Sequence, residues 1–316
     1  AFLRAFKAGY FAILYNFIVM GWVINAMASV VSVMLNMDKW TAVWLCVTIA
    51  VVYAILSGFW GVVITDIVQF FIAMFGSIAL AIIALNHVGG MDALLQKLSS
   101  LLGTDIIHEN TLKFIPPIPE NNIDSLSFWE SPFSKFLIFI TVMWWSHHGT
   151  DGGGYIIQRM SSAKNEKHAL LATLWFNLAH YAVRVWPWII VGVVSIVMFP
   201  VIPDSYSELG TKAGYPLVMN MLLGPGMKGI LIVSFLAAFM STIDTHLNWG
   251  ASYIINDIYK RFFKPNESEK HYVIVSKVIT VILMILAAFT ALKMQSISKA
   301  WAFIFSMGAG IGLVLI

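Results

Sequence analysis

The stretch "AAFMSTIDTHLNWGASYIINDIYKRF", residues 237–262, begins as an apolar helix yet carries several polar side chains within its apolar part. Asp244 is the most demanding of them, because a carboxylate at membrane depth costs roughly 2.5 kcal/mol or more and usually faces a cavity, a partner or an ion. The stretch therefore predicts either an ion-related site or a structural ion pair of Asp244 with Arg184 or a lysine.

The composition of the whole chain is that of an integral membrane protein. Its 316 residues are 59% apolar and 11% charged, with a mean hydropathy of +0.82, whereas soluble domains carry about 25% charged residues. Apolar runs of roughly 18 to 28 residues predict an all-α polytopic membrane protein. The net charge of +3 forms no basic stripe, so we expect no nucleic-acid partner, and the single cysteine, Cys46, excludes a cysteine-built metal centre.

The hydrophobic runs predict about eight transmembrane helices in one domain, residues 1–316. We expect the spans near residues 8–35, 39–57, 62–86, 133–150, 169–199, 229–256, 272–292 and 300–316. The chain starts at Ala1 and stops inside "GAGIGLVLI", which predicts a domain truncated at both ends.

Two long polar segments separate the spans. Lys and Arg concentrate in "QRMSSAKNEKH" and "DIYKRFFKPNESEKH", which predicts that these loops are cytoplasmic and that residues 87–132 and 200–228 are extracytoplasmic. The first long loop has a helix pattern in "MDALLQKLSSLL", and the second has a short apolar helix bracketed by Pro216 and Pro225, expected at the membrane interface.

One face of the 237–262 helix is lined by small residues and hydroxyls. Residues three and four apart share a helix face, so Ala238, Ser241, Thr242 and Thr245 form a stripe, with Asp244 beside Ser241. Hydroxyl and carbonyl oxygens are the ligands that a hard cation prefers, and this helix would supply roughly three of the about five that a dehydrated Na⁺ needs. The alternative is that Ser241 and Thr242 bond to carbonyls of their own helix.

A second carboxylate, Asp66, lies in "GVVITDIVQFF", near the predicted cytoplasmic end of another span. It could approach the same inner-half site as Asp244. The alternative is that Asp66 stabilises the positive N-terminal end of the helix that starts there.

Four segments together resemble the sodium:solute symporter family, and the resemblance covers essentially all of the chain. They are "YAILSGFWGVVITDIVQF", "YIIQRMSSAKNEKHA", "FLAAFMSTIDTHLNWGASYIINDIYKRF" and "SMGAGIGLVLI". The resemblance implies a leucine-transporter-type inverted-repeat fold in which these spans are core helices three to ten. It also implies a sodium-coupled secondary active symporter that imports a small organic solute, such as a sugar, amino acid or organic acid, by alternating access.

The same resemblance implies the positions of the sites. It places a sodium ion at Ala238, Ser241 and Thr242, together with backbone carbonyls of a helix that precedes this chain. In members with a second cation, the further ligands fall on Asp66, Asp244 and Thr245, and Asp244 stands where those members have a hydroxyl. The implied partners are Na⁺, a small-molecule solute and the lipid bilayer, and the implied location is the cell membrane, as a multi-pass protein of the bacterial inner membrane.

The solute-binding residues of the family match this chain less well than its cation ligands do. His147, His148 and Asp151 in "WWSHHGTDGGGY" are candidates, and Asn177 or His180 stands where sugar-transporting members have a lysine. The rival interpretations are a membrane-embedded enzyme that uses His147, His148 and Asp151, or a transporter-like sensor. No H-E-x-x-H, G-x-S-x-G or G-x-G-x-x-G motif supports an enzyme.

Overall fold

The computed structural model describes residues 2–104, 113–119, 125–143, 154–294, 296, 299–304 and 306. Its elements are α-helices with π-helical and 3-10 segments, as the all-α prediction requires. Five helical segments within these ranges are long and apolar enough to cross a membrane: Phe2–Leu35, Ile64–Val88, Glu166–Met198, Pro225–Phe263 and Glu269–Lys293. The apolar segments Lys39–Ile55 and Pro132–Thr141 are shorter.

The helices are numbered here in chain order. They are α1 (Phe2–Leu35), α2 (Lys39–Val88), α3 (Gly90–Leu101), α4 (Ser125–Glu130), α5 (Pro132–Ile138), α6 (Gly154–Ser161), α7 (Glu166–Met198), α8 (Gly214–Leu222), α9 (Pro225–Phe263) and α10 (Glu269–Lys293). Several contain π-helical turns: Tyr10–Tyr15 in α1, Leu178–Val183 in α7 and Ile254–Phe263 at the end of α9. A further π-helical segment, Phe139–Met143, follows α5.

Helix α2 is hydrogen-bonded along 50 residues, where two spans, 39–57 and 62–86, were predicted. A straight helix of that length would be about 75 Å long, more than twice a membrane core of about 30 Å. However, the hydroxyls of Tyr53 and Thr65 form a hydrogen bond although they are 12 residues apart. A straight helix would separate these residues by about 18 Å along its axis, so α2 bends between them.

Both long loops contain helices. Helix α3 coincides with the predicted helix in "MDALLQKLSSLL". In the second loop, a 3-10 segment, Asp204–Ala213, leads into α8, which begins two residues before Pro216. The inner residues of α8 are buried in the protein, where the Tyr215 ring stacks on Trp188 with centroids 5.5 Å apart. The interfacial location of this helix stays a prediction.

Among the described residues, the two largest of three apolar clusters join most of the helices. The larger one joins α1, the first half of α2, α9 and α10 through residues that include Met20, Ile24, Val43, Ile243, Leu247 and Leu283. The second joins the later half of α2 to α7, α8 and α9 through Leu80, Ala84, Val191, Val194, Val218 and Leu231. Helices α2 and α9 contribute to both clusters, so they connect the two halves of the described part of the chain.

Asn25, on α1, connects three segments through polar contacts. Its side chain is fully buried, and its amide nitrogen donates to the backbone carbonyls of Ala291 at 2.9 Å and Met294 at 3.1 Å, at the end of α10. Its amide oxygen accepts a hydrogen bond from Lys212 Nζ at 3.0 Å, in the 3-10 segment before α8. Burial, and then the neighbouring charge of Lys39, lower the pKa of Lys212. Asn25 therefore secures the α8 loop to the helix bundle.

We predict that Asn25→Ala lowers the thermal unfolding midpoint of the protein in detergent. The substitution leaves a partly buried ammonium group and two carbonyls without their Asn25 partner, and each such loss costs about 1 to 3 kcal/mol. The matched control is Asn256→Ala, since Asn256 is exposed and bonds only within its own helix, to Ser252. Equal midpoints for the two variants would contradict the anchoring role of Asn25.

Candidate functional site

Three helices meet through the side chain of Arg159, which lies on α6 in the "QRMSSAKNEKH" segment. Its Nη2 atom donates to Thr245 Oγ1 on α9 at 2.7 Å and lies 3.5 Å from Asp66 Oδ2 on α2. Two of the three residues predicted for a second cation, Asp66 and Thr245, are therefore brought together, with a guanidinium group between them. The side chains of Arg159 and Asp66 are 32% and 26% exposed, so this ion pair is screened only in part.

Asp66 is not fully satisfied by this contact. A charge-assisted N–H···O bond is normally about 2.7 to 2.9 Å long, so 3.5 Å is a weak one. Its other oxygen, Oδ1, is buried and has no hydrogen-bond partner among the described residues, and the same holds for Oε1 of Gln69, one helical turn further on. A buried acceptor without a partner costs about 1 to 3 kcal/mol, so this pair of oxygens marks a place that favours a donor or a cation.

The alternative interpretation of Asp66 as a helix-terminal residue is wrong. Helix α2 is continuous through this position, and its N-terminus is capped instead by Asp38, whose side chain accepts a hydrogen bond from the Thr41 amide at 3.0 Å. Asp66 therefore does not lie at the N-terminus of α2, and it directly follows Thr65, where the bend in this helix ends.

The predicted sodium ligands lie on the partly exposed face of α9. Ala238, Ser241 and Thr242 are each half-buried, whereas Ile243 and Leu247 on the opposite side are packed in the core. Thr242 Oγ1 donates to the Ala238 carbonyl at 3.0 Å, which is the intrahelical bond expected of a threonine in a membrane helix. The bond does not exclude ion binding, because a donating hydroxyl keeps two lone pairs and a carbonyl has two.

Asp244 differs from these residues in its burial, with 1% of its surface exposed. The alternative that it pairs with Arg184 is not observed in the described part of the chain. Arg184 lies on α7 and its Nη2 atom is 3.5 Å from Nε2 of His180, within the same helix. Asp244 is thus a buried carboxylate on α9, directly before the residue that binds Arg159.

The candidate solute residues are less well connected. Asn177 donates from its amide to the Thr173 carbonyl at 2.9 Å, and His180 stacks on Phe176 with centroids 5.2 Å apart. The hydrogen bonds and ring contacts of both residues lie within α7. His147, His148 and Asp151 lie outside the described residues.

A buried polar pair joins α1 to α9 and was not foreseen from the sequence. The Asn16 amide nitrogen donates to the His246 carbonyl at 3.0 Å, and its oxygen lies 2.7 Å from His246 Nδ1. Because the Asn16 nitrogen is the donor, its oxygen must accept, and Nδ1 of His246 therefore carries the proton. An asparagine inside the apolar run "LYNFIVM" was the available signal, since polar groups at that depth need a partner.

We predict that Gly250→Ala breaks this pair and destabilises the protein. A Cβ atom at Gly250 would overlap the Asn16 side-chain amide and would lie 3.2 Å from Leu283 Cδ1, and overpacking of this kind costs about 1 to 3 kcal/mol. The control is Gly229→Ala on the same helix, where a Cβ meets nothing within 4 Å and the helix should gain up to about 1 kcal/mol. Thermal unfolding in detergent checks both; an unchanged midpoint for Gly250→Ala would show that the Asn16 contact is dispensable.

The long apolar helices are those of a polytopic helical membrane protein, and comparison with known proteins gives the family. Residues 6–315 match the model of the sodium:solute symporter family, and the chain belongs to that family. It is 26% identical over 276 residues to sodium/glucose cotransporter 1 of Sus scrofa, covering 80% of this chain and 40% of the relative. It is 25% identical over 289 residues to the sodium/proline symporter of Escherichia coli (strain K12), covering 89% and 52%.

A solved structure shares the fold. It is a substrate-bound, outward-open Na⁺-coupled sialic acid symporter, and it matches with a TM-score of 0.70 and 18% identity over 92% of this chain and 58% of that one. The leucine-transporter-type fold expected from the sequence is thereby confirmed. The chain spans about half the length of the relatives that it matches. Family membership and the long apolar helices make it a multi-pass membrane protein.

Proposed function

We propose that this chain belongs to a symporter that uses the Na⁺ gradient to import a small organic solute by alternating access. The observation that carries the proposal is the half-buried oxygen stripe of Ala238, Ser241 and Thr242 on α9, in a chain of the sodium:solute symporter family. Sodium-coupled transport by the named relatives supports it.

The chemistry of the stripe suits Na⁺. Its donors are hydroxyl and carbonyl oxygens, which a hard cation prefers over nitrogen or sulfur. Two of them, Thr242 Oγ1 and the Ala238 carbonyl, already lie 3.0 Å apart, so rotation of the hydroxyl hydrogen away from the carbonyl would leave a lone pair on each oxygen for one ion. The stripe supplies roughly three of about five ligands, and the rest would come from a neighbouring segment with an unwound backbone.

Coupling between ion and solute would follow from the position of the oxygen stripe on α9. Helix α9 packs in both apolar clusters and binds α1 through His246 and α6 through Thr245. An ion that binds α9 more tightly in one arrangement of these helices shifts the population towards that arrangement. If the solute favours the same arrangement, ion and solute strengthen each other's binding by equal factors.

We propose that the solute is a sugar, an amino acid or an organic acid, since the relatives are named for glucose, proline and sialic acid. We propose His147, His148 and Asp151, and with them Asn177 or His180, as solute contacts. We further propose transport rather than catalysis as the activity, and the bacterial inner membrane as the location. A second cation at Asp66, Asp244 and Thr245 would have to share the site with Arg159.

We predict that the double variant Ser241→Ala/Thr242→Val loses Na⁺-stimulated uptake. The measurement is uptake into proteoliposomes of the full-length protein, across a panel of sugars, amino acids and organic acids, with and without an inward Na⁺ gradient. Removal of two ligands weakens ion binding, so the half-saturating Na⁺ concentration should rise by about tenfold or more. This is a typical size for the coupling between two binding sites.

The matched control is Thr48→Val. Thr48 Oγ1 makes the same intrahelical bond, to the Trp44 carbonyl at 2.8 Å, on an exposed face of α2 far from the stripe in sequence. This control should keep the Na⁺ dependence of the parent protein. Unchanged Na⁺ activation in the double variant, or solute uptake that responds only to a proton gradient, would refute the proposed sodium site.

A further inference from the structure

We propose that Arg159 is a tethered counter-ion for Asp66, which fills the Asp66–Thr245 site whenever no transported cation is bound there. An entering monovalent cation takes the place of the guanidinium group, and Arg159 returns when that cation leaves. The inference rests on the proposed symport function. It adds the residue that neutralises the site while the empty transporter reorients.

The first argument is the position of the guanidinium group. Arg159 reaches from α6 across to both α2 and α9, where its Nη2 atom donates to Thr245 Oγ1 at 2.7 Å and lies 3.5 Å from Asp66 Oδ2. One nitrogen thus contacts two of the oxygens that the resemblance to the family implies for a second cation. A guanidinium group in this position carries the charge that a bound ion would carry.

The second argument is that Arg159 satisfies the site incompletely. Asp66 Oδ1 and Gln69 Oε1 are buried acceptors without a hydrogen-bond partner among the described residues. Both lie on one face of α2, because residues three apart are neighbours on a helix. Together with Asp66 Oδ2 and Thr245 Oγ1 they form a set of carboxylate, amide and hydroxyl oxygens, which suits a small hard cation better than a planar guanidinium group.

The third argument is the need for charge balance. A transporter that has released its ions must return empty, and a bare carboxylate inside the membrane is costly. The positive charge of Arg159 compensates Asp66 during this step without any ion from solution. The long 3.5 Å contact to Asp66 is consistent with a partner that is held weakly enough to be displaced.

The test separates the empty return from the loaded steps. Net Na⁺-driven uptake requires the complete cycle, whereas counterflow, the exchange of labelled for unlabelled solute with Na⁺ on both sides, bypasses the empty return. Both are measured with the full-length protein in proteoliposomes, for the parent and for Arg159→Gln, Arg159→Lys, Asp66→Asn/Arg159→Gln and Lys167→Gln. The last variant is the matched control, since it removes an exposed positive charge from the same segment.

We expect Arg159→Gln to lower net uptake by about tenfold relative to counterflow and to lower the half-saturating Na⁺ concentration, because the ion no longer competes with a guanidinium group. Arg159→Lys, which keeps the charge, and the double variant, which removes both charges, should restore the ratio of net uptake to counterflow. Lys167→Gln should leave that ratio unchanged.

Equal losses of net uptake and counterflow in Arg159→Gln, without recovery in the double variant, would overturn the inference and leave Arg159 with a structural role. An unchanged ratio in Arg159→Gln would overturn it too. If the Arg159→Gln protein does not fold, the Arg159→Lys and Asp66→Asn/Arg159→Gln variants still test the inference. Both of them must show the parent protein's ratio of net uptake to counterflow. Failure of the symport proposal looks different, because the parent protein would then show no Na⁺-stimulated uptake at all.

Discussion

The absence of water inside a bilayer is the constraint on which this structure depends, because a polar group within a spanning helix must find its partner inside the protein, on its own helix or on another. Helix α9 carries several of these groups, among them Asp244 and His246. Its His246 pairs with Asn16 of α1, and its Thr245 accepts a hydrogen bond from Arg159 of α6. These polar contacts, added to its two apolar clusters, make α9 the helix against which the others are positioned.

The two sides of α9 are used differently. Towards the core, Ile243 and Leu247 are closely packed, and Asp244 and His246 are buried. On another face, Ala238, Ser241 and Thr242 are half-buried and present oxygens. A helix that is rigidly packed on one side can hold ligands in place on the other, and this arrangement would let ion binding act on the packing of the bundle.

Arg159 changes how the acidic residues near α9 are understood. From composition alone, a carboxylate in a membrane span implies an ion or a partner, and the two alternatives exclude each other. The structure brings an arginine to Asp66 through a long contact and leaves neighbouring acceptor oxygens unsatisfied. The guanidinium group of Arg159 and a transported cation could therefore neutralise the Asp66 carboxylate at different stages of one transport cycle.

The sequence by itself determined the membrane class, most of the helices and the oxygen stripe on α9, because hydrophobicity and helical periodicity are local properties of the chain. It also indicated the family, through segments such as "TDIVQ" and "QRMSSAK". The contact of Arg159 with Asp66 spans 93 residues and that of Asn16 with His246 spans 230, and no local pattern encodes either.

Only the tertiary structure decided which of the candidate residues meet. The bend in α2 that lets Tyr53 reach Thr65 and the burial of Asp244 both follow from how helices pack, not from their individual sequences. A polar residue in an apolar run indicates that the side chain has a hydrogen-bond or ion partner. Its identity depends on which helix faces it, and that is fixed by packing over the whole bundle.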